Sequence, residues 1–97
     1  MAEIYLVVTE HGLDNPRVAY VSAISCAGVS LDRMIKAEAV ERKRLESQFP
    51  LQTHVITQWI GGKFAENSPE AICLEKNKSE FTVGQILAKE YSKTTQN

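Results

Sequence analysis

Ninety-seven residues form one domain of common size, long enough to bury a real core, and 43% hydrophobic with 24% charged residues is the balance of a globular chain rather than a disordered one. A net charge of −1 and a pI near 6.1 exclude any chain-wide attraction to phosphate backbones or anionic lipid. The longest apolar run, Ile4 to Val8, is far short of the roughly 20 residues a membrane span needs.

The opening Met1-Ala2-Glu3 carries no basic segment followed by an apolar stretch, so the expected location is the cytoplasm and not a secretory route. The two cysteines, Cys26 and Cys73, sit in apolar surroundings and read as small buried hydrophobes. A reducing compartment disfavours a bridge between them.

The densest block of β-branched and aromatic residues comes first. Ile4–Thr9 and Val18–Ile24 have the length and composition of strands, and neither face of the first is polar, which places it centrally in a sheet. Between them, His11-Gly12-Leu13-Asp14-Asn15-Pro16 reads as an exposed loop of about six residues.

Ser30 is a helix N-cap, Asp32 suits the first turn, and Pro50 stops the helix, which the sequence predicts over Leu31–Gln48. Its expected inner stripe is Leu31, Met34, Ile35, Leu45 and Phe49. Glu38 and Arg42 interrupt it, and form an i,i+4 pair in the favourable order. A half-exposed structural helix is the plainer account of that mixed face; a protein interface is the sharper one.

Gln52–Ile60 is a third strand, with Val55, Thr57 and Trp59 on one face. Gly61-Gly62 then signals a turn, and Lys63-Phe64-Ala65 is the expected short fourth strand. Ser68-Pro69-Glu70 favours a short helix over Pro69–Glu75, by N-cap and N1 proline, while Ile72 and Leu74 alternate with Cys73 and Glu75 as they would in a strand, which periodicity over so short a run does not decide. The last helix is the best specified: Thr82 and Gln85 form a capping box, and Phe81 and Ile86 are placed to close a hydrophobic staple. Val83, Ile86, Leu87 and Tyr91 make its apolar stripe. A polar tail is expected over 94–97, leaving 1–93 as one domain. The order β-β-α-β-(β)-(α)-α makes an α+β fold, a small antiparallel sheet of three to four strands with helices packed on one face.

No stretch carries a specific chemical signature. His11, Cys26, His54 and Cys73 lack the close spacings of structural zinc sites, neither cysteine lies in a Cys-x-x-Cys, and phosphate-binding glycine patterns are absent. The expectation is therefore a non-enzyme without cofactor or metal. A small enzyme or metal site around His11 and Asp14 is one alternative. Another is nucleic-acid binding by a basic helix side built from Arg33, Lys36, Arg42, Lys43 and Arg44, which Glu38, Glu41 and Glu46 dilute. The leading expectation is a protein-interaction module, of the general type of small inhibitors or regulators encoded by phages and mobile elements that bind a larger protein. A homodimer through the Arg33–Glu46 helix or a sheet edge fits the same type. Candidate partner-binding residues are Arg33, Lys36, Val40, Arg42, Lys43, Arg44, His11, Asp14 and Trp59.

Overall fold

The structure, a computed structural model, describes residues 3–12, 16–60 and 62–95, with side chains as far as residue 89. In chain order the elements are β1 (Glu3–Glu10), β2 (Arg17–Ser25), α1 (Leu31–Gln48), β3 (His54–Ile60), α2 (Pro69–Asn77), β4 (Glu80–Thr82) and α3 (Val83–Thr95). This is the expected α+β fold of four strands and three helices. Strand order is β3-β1-β2-β4.

β1 is central, as its two apolar faces require. It pairs antiparallel with β2 and β3, whereas β4 runs parallel to β2, so the sheet is mixed. A bulge at Ala19 steps the register between Val8 and Thr9, after which Glu10 lies opposite Arg17 and pairs with it at 3.1 Å.

The fourth strand is not where the turn signal put it. Lys63-Phe64-Ala65 forms no strand; Phe64 instead folds onto Tyr5, ring centroids 4.6 Å apart, and onto Trp59 at 5.6 Å. An apolar surface on β1 was available to Phe64, and packing there outweighed pairing. The strand made in its place, β4, lies just ahead of α3. It is anchored where Ala23 N–H donates to Ser79 C=O at 2.9 Å and the buried Ser79 hydroxyl donates to Val21 C=O.

The helices also divide between two faces instead of sharing one. Ile4, Leu6, Val8 and Ile24 face Met34, Ala37 and Leu45 of α1 and Val83 and Ile86 of α3. Tyr5, Val7, Val21 and Ala23 face Cys73 and Leu74 of α2 together with Phe64. Strand alternation makes both faces of β1 apolar, so both needed a cover. Leu6, Val8, Val21, Ile24 and Leu45 are fully buried, each contributing roughly 1.5–3 kcal/mol of apolar transfer. Cys26 and Cys73 are free thiols on opposite sides of this sheet.

The caps follow the sequence closely. Ser30 accepts from Arg33 N–H at 3.4 Å, and Ser68 from Ala71 N–H at 3.2 Å. Thr82 and Gln85 close their box in both directions, at 2.9 and 3.0 Å. The second helix runs two residues further than expected, to Asn77, and is closed by Lys78 in the left-handed region (φ 50°). The third is helical to Thr95, past the expected start of the tail; 96–97 and the side chain of Tyr91 lie outside the described residues.

α1 keeps its expected limits but is rotated. Its buried stripe is Met34, Ala37, Glu41 and Leu45, while Leu31 (66% exposed) and Ile35 (58%) stay outside. The reason is Glu41, which turns inward to meet the Ser22 hydroxyl at 2.6 Å and is clasped by Arg44 at 2.6 and 2.8 Å. Bringing this carboxylate to Ser22 swings Leu31, Ile35, Glu38 and Arg42 onto the flank beside β3.

Candidate functional site

The expected basic helix side is taken apart by this rotation. Arg42 pairs with Glu38 at 2.7 Å and donates to the carbonyl of Ile56 on β3 at 3.2 Å; Arg44 is turned to the opposite flank and spent on Glu41. Hydrogen bonding to Glu41 is also the largest cause of the raised Arg44 pKa. Val40 is half-buried and packs against the core. Arg33, Lys36 and Lys43 are exposed. The five cations therefore do not form one surface.

The first hairpin loop offers little more. His11 is half-buried and its N–H donates to Thr53 C=O at 2.8 Å; Asp14 lies outside the described residues. Among the described residues no three His, Cys, Asp or Glu side chains converge as metal ligands would, and no helix is long and apolar enough to cross a membrane. An open cleft of about 410 Å³ lies between the start of β1 and α2, with Glu3, Glu75, Glu80 and Lys63 at its lip and Tyr5 and Phe64 along its wall. Burial, then the hydrogen bond and charge of Glu3, push the Tyr5 hydroxyl up to about 12; it donates to Glu3 at 3.0 Å.

Trp59 leads to a better-defined surface. Its partners across the ladder set the faces of β3: Tyr5 opposite Trp59, Val7 opposite Thr57, Thr9 opposite Val55. Those three β3 residues thus share the face that α2 covers farther along, over β2, but over β3 the cover is missing. Val55 is 49% exposed and Trp59 48%, although Trp59 is steadied by Phe64 and by its indole N–H donating to Gly62 C=O at 3.2 Å. On the other face Ile60 is 51% exposed. Phe49 stacks near His54 and Arg42 reaches Ile56, so α1 runs with its N-terminal end toward Ile60. Leu31 and Ile35 lie exposed on the flank of α1 that carries Arg42.

Between these faces lies an open backbone edge. The bond from His11 N–H to Thr53 C=O belongs to the β1–β3 ladder, whose register continues unbroken through β3. Backbone groups in an antiparallel pair alternate in direction, so odd-numbered β3 residues bond to β1 and even-numbered ones turn outward. His54 N–H is satisfied by Pro50 C=O and Ile56 C=O by Arg42. The N–H groups of Ile56, Gln58 and Ile60 face the open edge. Edge strands are ordinarily guarded by charge, proline, a bulge or brevity. The opposite edge, β4, is three residues long, whereas His54–Ile60 is seven residues without an Asp, Glu, Lys, Arg or Pro.

Sequence reasoning reached Trp59 but not its neighbours. Val55 and Ile60 were readable as strand residues, and the absence of charge from His54 to Ile60 was the available signal for an interacting edge. Exposure of Leu31 and Ile35 was hidden, because it depends on Glu41 being inside. No protein-family model, curated protein or solved structure matches the chain.

Proposed function

We propose that this chain is a small, non-enzymatic protein-binding module that works in the cytoplasm through the β3 side of its sheet. It regulates or inhibits the protein it holds, in the manner of small chains carried by phages and mobile elements. The observation that carries this reading is the uncharged, seven-residue edge strand with half-exposed Trp59 and Val55 on one face and Ile60 on the other. Exposed apolar side chains along an unpaired strand edge are a common mark of an interaction site, and tryptophan is enriched among interface anchors. Against nucleic acid stand the pairing of Arg42 and Arg44 with carboxylates and the slightly acidic net charge of the chain.

The test is affinity capture from host lysate with the tagged chain, with and without nuclease, beside a Trp59→Lys variant whose circular dichroism matches the parent. Supporting the reading is one protein held in near-stoichiometric amount in both arms and lost with Trp59→Lys. Capture that disappears with nuclease, or that Trp59→Lys leaves unchanged, overturns it.

A further inference from the structure

We infer that the β3 edge is filled by the β3 edge of a second copy of this chain, the two strands antiparallel about a two-fold axis through Thr57. This rests on the binding-module reading and names the occupant of its edge. Outward-facing residues must pair with outward-facing residues, so the register has to join even positions to even ones. The register that uses the whole strand sets Ile56 opposite Gln58 and His54 opposite Ile60 of the second copy. In it the free N–H of Ile60 meets His54 C=O, whose own N–H is already taken by Pro50. Gln58 N–H meets Ile56 C=O, and that oxygen has a second lone pair while Arg42 holds the first.

The side chains agree with the same register. A two-fold axis normal to the sheet keeps the faces matched, so Val55 of each copy lies beside Trp59 of the other. Four half-exposed apolar residues then become one stripe across the seam. Thr57 meets Thr57 as a pair without mutual hydrogen bonds, the closer of the two antiparallel spacings. Charge permits it: β3 carries no Asp, Glu, Lys or Arg, and two chains of net charge −1 repel weakly. Joining the edges pairs the long β3 edge, where Arg42 holds one carbonyl, and yields an eight-stranded sheet bounded by two short β4 strands. The paired Val55 and Trp59 residues are left as a doubled surface for a larger partner.

The experiment is light-scattering mass measurement across a concentration series, with the emission of Trp59, the single tryptophan, read in parallel. The wild type should reach twice 10.8 kDa with a blue shift of emission. Thr57 is exposed, so Thr57→Lys and Thr57→Glu should each leave the fold intact. Each should weaken the dimer by about tenfold, because like charges then face each other across the axis. An equimolar mixture of the two variants should restore it. Thr57→Cys should form a disulfide-linked dimer under mild oxidation, which the wild type does not. A wild type that stays monomeric overturns the pairing, as does a dimer indifferent to both charge variants or a mixture that restores nothing. A monomer that still captures a host protein through Trp59 would overturn the second copy while leaving the binding-module reading in place.

Discussion

Glu41 decides how α1 sits, and its removal has a size that can be worked from its surroundings. Its side chain is 3% exposed, takes a hydrogen bond from fully buried Ser22 at 2.6 Å, and receives both prongs of Arg44. Glu41→Ala leaves the Ser22 hydroxyl without its acceptor, at about 1–3 kcal/mol for an orphaned buried polar group. Breaking a buried ion pair costs roughly 3–5 kcal/mol when the surviving charge is trapped. Arg44 is 36% exposed and can swing into water, so that second cost shrinks to about 1 kcal/mol, near that of an exposed pair. The combined effect is about 3 kcal/mol, a large share of the roughly 5–15 kcal/mol that holds a domain of this kind together. With a urea dependence of about 1 kcal/mol per molar, the unfolding midpoint followed by circular dichroism should fall by roughly 2–3 M. Glu41→Leu combined with Ser22→Ala, which removes both polar partners, should recover to within about 1 kcal/mol of the wild type. A Glu41→Ala variant that loses less than about 1 kcal/mol, or a double variant as unstable as the single one, would refute the idea that this carboxylate sets the rotation of α1.

Three further outcomes follow from local geometry. Thr82→Ala should cost about 1 kcal/mol in urea unfolding, and adding Gln85→Ala should cost less than the sum of the separate losses, since the two side chains cap one helix end reciprocally. Lys78→Gly should stabilise by about 0.5–1 kcal/mol, because Lys78 closes α2 at φ 50°, a conformation glycine takes without a Cβ penalty. Tyr5 is raised from 10.0 to about 12 in the fold, so the folded state favours the neutral phenol. That stability is complete below pH 10 and disappears as pH rises toward about 12, a loss of roughly 2–3 kcal/mol that a Tyr5→Phe variant should not show when the two unfolding curves are subtracted.

What the sequence revealed about the fold divides along physical lines. Caps and hairpin strands are local: Ser30, Ser68, Thr82 and Gln85 act within three residues of themselves, so their signals survive folding unchanged. The errors came where a distant partner decided the matter. Lys63–Ala65 had a turn signal in the sequence before it, but Phe64 packs on Tyr5 and Trp59 instead of pairing as a strand. The residues of β4 carry a capping motif and gave no strand signal, because their pairing rests on Val21 and Ala23, nearly sixty residues earlier. The interaction surface suffered in the same way. Arg42 was readable as a partner of Glu38 but not of the Ile56 carbonyl, Arg44 looked free and is engaged by Glu41, while Leu31 and Ile35 looked buried and are exposed. A helical periodicity cannot announce that a glutamate will be the inward residue.

Amide hydrogen exchange along β3 tests the central claim most directly. Backbone N–H groups of Ile56, Gln58 and Ile60 face the open edge, whereas those of Val55, Thr57 and Trp59 bond to β1. If β3 is the binding edge, all six amides should be protected at the concentration where the mass doubles. Ile56, Gln58 and Ile60 alone should lose that protection on dilution and in Thr57→Lys. Fast exchange of those three at every concentration, with Val55, Thr57 and Trp59 protected throughout, would contradict it.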